Sequence, residues 1–251
     1  MSAEGQWIRG LHAVTELLRQ RPGDVRQLLL QSGRRDARLE ALRDAATRQG
    51  IVIGEVPREE LDRLTGGKHQ GAAALSVGQK QALAEADLKA LVGGLEHAPL
   101  LLVLDSITDP HNLGACLRSA DAAGVDAVII PRDKAVGLND TVRKVASGAA
   151  EIVNLVVVTN LARCLADLKE LGVWLVGTDD EASQSLYEQD LSGPIALVMG
   201  SEGSGLRRLT RERCDFLVRI PMAGQLSSLN VSVATGVALF EAVRQRGGEP
   251  R

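Results

Sequence analysis

Two hydrophobic patterns succeed each other along this chain. In the first eighty residues, apolar positions recur at helical spacing over 11–19, where Leu11, Val14, Leu17 and Leu18 share one side. The same region predicts helices over 37–49 and 58–64. Runs rich in Val, Ile, Leu and Ala predict strands over 25–30, 51–56 and 72–77. This alternation predicts a small α/β domain over residues 1–80. Residues 81–98 are polar and alanine-rich, broken by Gly93-Gly94 and closed by Pro99, which predicts a linker with a short helix.

From residue 99 the runs become short and rich in Val, Ile and Leu: 100–104, 127–130, 155–158, 173–176, 195–199 and 216–220. Strands buried on both faces read this way, and helical patterns separate several of them. A parallel sheet with helices on both faces is therefore expected over residues 99–251. The last helix, 231–243, is apolar nearly all round and must be buried, within the chain or against a second copy.

Composition narrows the function. At 251 residues and 45% hydrophobic, the chain can bury substantial cores. No stretch approaches the ~18 continuous apolar residues of a membrane span. The N-terminus lacks the basic and apolar regions of a signal peptide, so a cytoplasmic protein without a membrane partner is expected. Cys116, Cys164 and Cys214 have no paired spacing and the four histidines are scattered, which argues against disulfides and against a metal site. Net charge is −3, but residues 1–80 carry +3 and the remainder −6, a hint of a polyanion partner at one end. Aromatic content of 2% excludes RNA recognition through aromatic platforms.

In parallel sheets ligands sit at the carboxyl ends of the strands, and three unusual loops begin there. The first, 105–120, turns at Asp109-Pro110 into a helix starting near His111 or Asn112. Arg118 follows about two turns in, expected on a face similar to that of Asn112 and Gly114. The second, 200–205, resembles a phosphate cradle but fails both templates: Leu206 and Arg207 stand where a Walker loop needs Lys and Ser/Thr, and the glycines at 200, 203 and 205 are not G-x-G-x-x-G. Glu202 would repel a polyphosphate, so a neutral or cationic ligand fits better. The third breaks at Pro221 and passes Gly224, Ser227, Ser228 and Asn230. Ser228 or Asn230 is expected to cap the final helix, and backbone groups around Ile220, Met222 and Leu229 suit an adenine or a small polar cofactor. A further polar loop, 65–71, reads as a surface turn or an RNA contact.

Taken in order, Asp109-Pro110-x-Asn112-x-Gly114-x-x-x-Arg118-Ser119, Met199-Gly200-x-Glu202-x-x-Gly205-Leu206 and Ile220-Pro221-Met222-x-Gly224-x-x-x-Ser228-Leu229-Asn230-Val231-Ser232 resemble the three motifs of the SpoU (TrmH-like) RNA ribose 2′-O-methyltransferases, over residues 100–246. The resemblance implies S-adenosylmethionine as methyl donor and a C-terminal sheet tied in a deep trefoil knot. Main-chain groups at Gly200, Ile220 and Leu229 would hold the cofactor, with Met222 and Thr178 as further contacts. Arg118 would act on the ribose hydroxyl. Asn112, Ser228 and Asn230 would orient the nucleotide and Arg118, and Glu202 would fix the glycine loop and hold Arg118. Residues 1–80 resemble the family's L30e-like RNA-binding domain, with Gly10-Leu11-His12-Ala13-Val14 and His69-Gln70-Gly71 as its marks. A homodimer with sites completed across its interface is implied. So is a guanosine of large-subunit (23S) ribosomal RNA as target. The alternatives are the same chemistry on transfer RNA, a nucleoside-triphosphate binder using 200–205, and a non-catalytic RNA-binding protein.

Overall fold

Three consecutive leucines, Leu28 to Leu30, are all nearly inaccessible in the computed structural model, which describes residues 5–34, 36–67, 69–78, 80–225 and 228–247. Successive strand residues point to opposite faces, so their strand is covered on both sides. It belongs to the first of two units, which meet in sequence between Lys80 and Gln81. That unit runs β1 (Gln6–Arg9), α1 (Leu11–Gln20), β2 (Val25–Gln31), α2 (Ala37–Arg48), β3 (Val52–Val56), α3 (Arg58–Thr65) and β4 (Ala72–Ser76). The sheet order is β1-β4-β2-β3, with β2 and β3 parallel and both β4 pairings antiparallel. Leu61 of α3 packs on Leu29 and Ala73. Helices α1 and α2 lie against each other and against β4 and β3. Strand β1 has no counterpart in the sequence reading because it is an edge strand with Ile8 as its one buried residue.

The 65–71 loop is more than an open turn. Gly66, Gly67 and Gly71 take φ values of 68, 84 and 89°, and Gln70 takes 52°. His69 is buried, and its Nδ1 accepts the Gly71 N–H at 2.9 Å. Gln70 accepts from Leu11 N at 3.1 Å and from Arg34 Nη1 at 3.0 Å. Lys68 lies outside the described residues.

The second unit runs β5 (Leu83–Ala84), α4 (Glu85–Gly93), β6 (Leu100–Leu104), α5 (Pro110–Ala122), β7 (Ala127–Pro131), α6 (Asp140–Ala146), α7 (Ala149–Ile152), β8 (Leu155–Val158), α8 (Leu161–Glu170), β9 (Trp174–Thr178), β10 (Gln184–Ser185), β11 (Ile195–Met199), α9 (Arg208–Arg213), β12 (Phe216–Arg219) and α10 (Val231–Gln245). All eight strands are parallel, in the order β10-β12-β9-β11-β6-β7-β8-β5. Residues 81–98, expected as a linker with a short helix, carry that helix as α4 and also the edge strand β5 on β8. Alternation along the central strands builds two cores. Leu100, Leu102 and Leu104 of β6 and Ile195, Leu197 and Met199 of β11 enter one; Leu101, Val103, Ala196 and Val198 enter the other. Helices α5 and α10 contribute to the first core, α4 and α8 to the second. Inside the first, Arg143 and Glu151 form a buried ion pair between α6 and α7, exposed by only 4% and 3%.

Helix α10 is buried on one side only within this chain. Thr235, Ala238, Leu239 and Ala242 face the core, and Gly236 lies opposite Ser119 of α5. Val233 and Phe240, seven residues apart, stay 52% and 50% exposed. Among the described residues no helix is long and apolar enough to cross a membrane.

On the same helix Glu241 is almost wholly covered and accepts two hydrogen bonds from Arg244, both at 2.8 Å. The Arg244 bond holds its pKa down, from 4.5 to about 2. Because the folded-state value is the lower one, the carboxylate favours the fold at every pH above about 4.5, and that contribution is lost as pH falls toward about 2. Urea denaturation should therefore find Glu241→Gln less stable than wild type at neutral pH, with the gap closing over that acid window. A gap independent of pH would refute this assignment.

Candidate active site

The carboxyl ends of β9, β11 and β12 surround a cavity of about 560 Å³. Thr178 closes β9, Gly200 follows β11, and Ile220 follows β12, so three strand ends each deliver one wall. The returning loop adds Met222, Ser228 and Leu229, and Val231 and Ala234 open α10 onto it. The five residues expected to bind a cofactor thus line one cavity. Ser227 lies outside the described residues.

The glycine loop folds back on itself. Ser201 N donates to Gly205 O at 3.1 Å and Gly205 N to Ser201 O at 3.0 Å, a two-residue antiparallel bridge. Those N–H groups are consumed by the bridge and are not free to cradle phosphates. Gly200 is required sterically: a Cβ there would lie 2.2 Å from the Gly205 carbonyl carbon.

Glu202 leaves this loop and joins the other two. It accepts from the Asn230 side-chain amide and from Val231 N at 3.2 Å. Asn230 Nδ2 also donates to Asn112 Oδ1 at 3.0 Å, while its Oδ1 accepts from Ser232 N at 2.9 Å and so caps α10. Of the two proposed caps, Asn230 serves and Ser228 is left to the cavity. Asn112, Glu202 and Asn230 are in direct contact although they come from three separate loops.

Arg118 is not part of this cluster. Helix α5 starts earlier than expected, at Pro110, with Asp109 as N-cap accepting His111 N at 2.9 Å. Six residues then separate Asn112 from Arg118, a rotation of roughly 240°, so the two occupy different faces. Asn112 looks toward α10, whereas Gly114, one turn before Arg118, packs on Val145 of α6. Arg118 is exposed, bonds none of the described residues and does not line the cavity. The expected Glu202–Arg118 contact is not made within this chain, where Glu202 is engaged by Asn230 and Val231.

Several polar residues escaped the sequence reading. Asp105, wholly buried at the end of β6, accepts from Arg207 N at 3.1 Å, Arg207 Nε at 2.6 Å and Ser106 Oγ at 3.1 Å. It pins the far end of the glycine loop. The signal was an acid ending a fully apolar strand, a costly placement without a partner. Asp179, Asp180 and Glu181 also line the cavity, and Arg211 pairs with Asp179. Arg219 donates to Ala182 O at 2.7 Å and holds that acidic loop.

The thiols are poor nucleophiles. Burial pushes the Cys116 pKa up to about 11 and those of Cys164 and Cys214 up to about 12. Among the described residues no group of three or more His, Cys, Asp or Glu side chains is placed to hold a metal.

The chain is similar to known proteins over nearly its whole length. Residues 99–240 match the model of the SpoU rRNA Methylase family, and residues 7–81 match the RNA 2′-O ribose methyltransferase substrate binding model. The chain is 58% identical over 243 residues to the 23S rRNA (guanosine-2′-O-)-methyltransferase RlmB of Pseudomonas aeruginosa, covering 96% of this chain and 98% of that one. It is 55% identical over 249 residues to the RlmB of Ralstonia nicotianae, covering 99% of both. The solved SpoU methyltransferase AviRb of Streptomyces viridochromogenes, in complex with AdoMet, superimposes with a TM-score of 0.67 at 25% identity, covering 98% of this chain and 92% of that one.

Gly200→Ala is expected to open the Ser201–Gly205 bridge. Hydrogen exchange of a peptide spanning 200–206 should accelerate at least tenfold if that bridge protects its amides. Unchanged exchange would mean that the bridge is not what orders the loop.

Proposed function

The chain belongs to the SpoU rRNA methylase family, and on that premise we propose that it transfers a methyl group from S-adenosylmethionine to the ribose 2′-hydroxyl of a guanosine in 23S ribosomal RNA. Relatives named for that reaction match it over nearly its whole length. The observation that carries the reading is the one cavity shared by Gly200, Ile220, Leu229, Thr178 and Met222.

The residues fit the cofactor. A volume of about 560 Å³ lies in the range of small-molecule sites, and Gly200 lies where a Cβ has no room. Ile220, Leu229 and Val231 offer apolar surface for an adenine, and Asp180 and Glu181 suit a cationic group. When bound, the cofactor supplies an electrophilic methyl group on a sulfonium.

The chain's own residues have to make a ribose hydroxyl reactive. That group is a poor nucleophile while protonated and has to be held in line and relieved of its proton. Asn112, Ser228 and Asn230 are assigned to orienting the nucleotide. Glu202 fixes Asn230 against the head of α10, so the orienting groups are set before substrate arrives. Arg118 is assigned to the ribose oxygen and the adjacent phosphate, stabilising alkoxide character by charge-assisted hydrogen bonds.

Because Arg118 does not reach the cavity of its own chain, it is assigned to the site of a second copy in a homodimer. The exposed pair Val233 and Phe240 supports an interface on α10. The trefoil knot belongs to the same reading, supported by β9 lying between β11 and β12 while α10 returns to pack on α5. Residues 7–81 are assigned to binding the ribosomal RNA in the cytoplasm, in an L30e-like fold.

Two experiments test this. Calorimetry should show S-adenosylhomocysteine binding without added metal, and ribose-methylation mapping of ribosomal RNA should lose one guanosine signal in cells lacking the protein. Loss of a transfer RNA signal instead would move the substrate. Arg118→Lys and Glu202→Gln should each cost about 100-fold or more in kcat. Mixing the two dimers and allowing exchange should restore about a quarter of wild-type activity, since half the sites of each hybrid pair an intact Arg118 with an intact Glu202. No restoration would place Arg118 in its own chain's site.

A further inference from the structure

Another cavity opens at the carboxyl edge of the second unit's sheet. It measures about 540 Å³ and is bounded by the ends of β7 and β8 and the start of α9. Its wall includes Pro131, Leu161 and Leu209; Leu209 is 54% exposed, whereas Leu161 shows only the edge of a core side chain. Arg207 stands at one side. Its Nε is held by the buried Asp105 at 2.6 Å, while Nη1 and Nη2 bond none of the described residues. A guanidinium gripped at Nε by a carboxylate with no exposed surface has lost its freedom to swing, and its two outer nitrogens remain as an oriented donor pair. Arg208 adds charge beside it, bonded to Glu212 at 2.6 Å. The lining also includes Asp133, which is drawn toward Arg132 at 3.8 Å. Asn160 caps α8 through Oδ1, leaving its Nδ2 donor uncommitted.

Consecutive residues separate this groove from the cofactor cavity. Leu206 lines one and Arg207 the other, about 3.8 Å apart along the backbone. An anion at Arg207 would sit one residue along the chain from the cofactor cavity, at the Asp105 end of the loop that leads to Asn112.

We propose that this groove holds a nucleotide of the RNA substrate flanking the one to be methylated, with the Arg207 Nη pair on its phosphate and the Pro131–Leu161–Leu209 wall against its base or sugar. The assignment rests on the methyltransferase reading and adds a subsite to it. The outer nitrogens of Arg207 contribute affinity for RNA, while its Nε keeps the separate task of anchoring the glycine loop to Asp105.

The test uses full-length wild type, Arg207→Gln and Leu209→Glu with an unmodified transcript of large-subunit ribosomal RNA. Arg207→Gln should raise KM for the transcript about tenfold, lower kcat at saturating RNA much less, and make the plot of log affinity against log salt shallower by about one. Leu209→Glu, on an exposed position that folding tolerates, should weaken RNA binding in the same direction. Calorimetry with S-adenosylhomocysteine should give wild-type affinity for Leu209→Glu, which leaves the Asp105–Arg207 anchor of the glycine loop intact. Unchanged RNA affinity and salt slope in the two variants would overturn the proposal, as would a loss confined to cofactor affinity. If Arg207→Gln does not fold, Leu209→Glu decides alone. A wild-type protein that binds RNA with the expected variant effects but transfers no methyl group would sink the methyltransferase reading and leave the groove standing.

Discussion

The Glu202 carboxylate is the joint on which the site depends. It lies beside the first turn of α10, where unpaired backbone N–H groups favour negative charge, and it takes the Val231 N–H directly. Through Asn230 it reaches Asn112, so one acid links loops that would otherwise each bear their own ordering cost. Asp105 secures the same glycine loop from its other end through Arg207. The residues between, 203 to 206, are thereby anchored on both sides.

Much of this was legible in the sequence, for physical reasons. Strands buried on both faces have no polar positions to disguise them, so β6, β7, β8 and β11 stood out, and β9 and β12 did so through their Val- and Leu-rich runs although they are less covered. The strands that did not, β1, β5 and β10, are short edges with little to bury. The three loops were legible because polar and glycine-rich segments interrupt an apolar sheet at its carboxyl ends. Helical phase was harder to read. The start of α5 was placed one or two residues late, and the step from Asn112 to Arg118 was taken as shared facing when it is a change of face. The Asp105–Arg207 pair was missed because its members are 102 residues apart: an acid ending an apolar strand signals that a partner is needed, but not which one.

The chemistry of the site is mostly main chain and small polar groups. Five aromatic residues serve the whole protein, and none of them lines the cavity. Shape is therefore set by backbone geometry, which explains why Gly200 leaves no space for a methyl group while the side chains around it are modest. The buried thiols add packing and no reactivity, with Cys116 touching Thr235 at 3.6 Å where α5 meets α10.

The sheet order carries a consequence for biosynthesis. Strands β5 to β8 are contiguous in sequence and lie together on one side, and the open edge of β6 is filled only by β11, where Leu100 pairs with Ile195. A nascent chain emerging from its N-terminus completes four neighbouring strands long before their mate is translated. Until then the flank of β6, apolar at every position, stands bare and adhesive. That flank stays without its mate while the roughly forty residues from the end of β8 to β11 are translated.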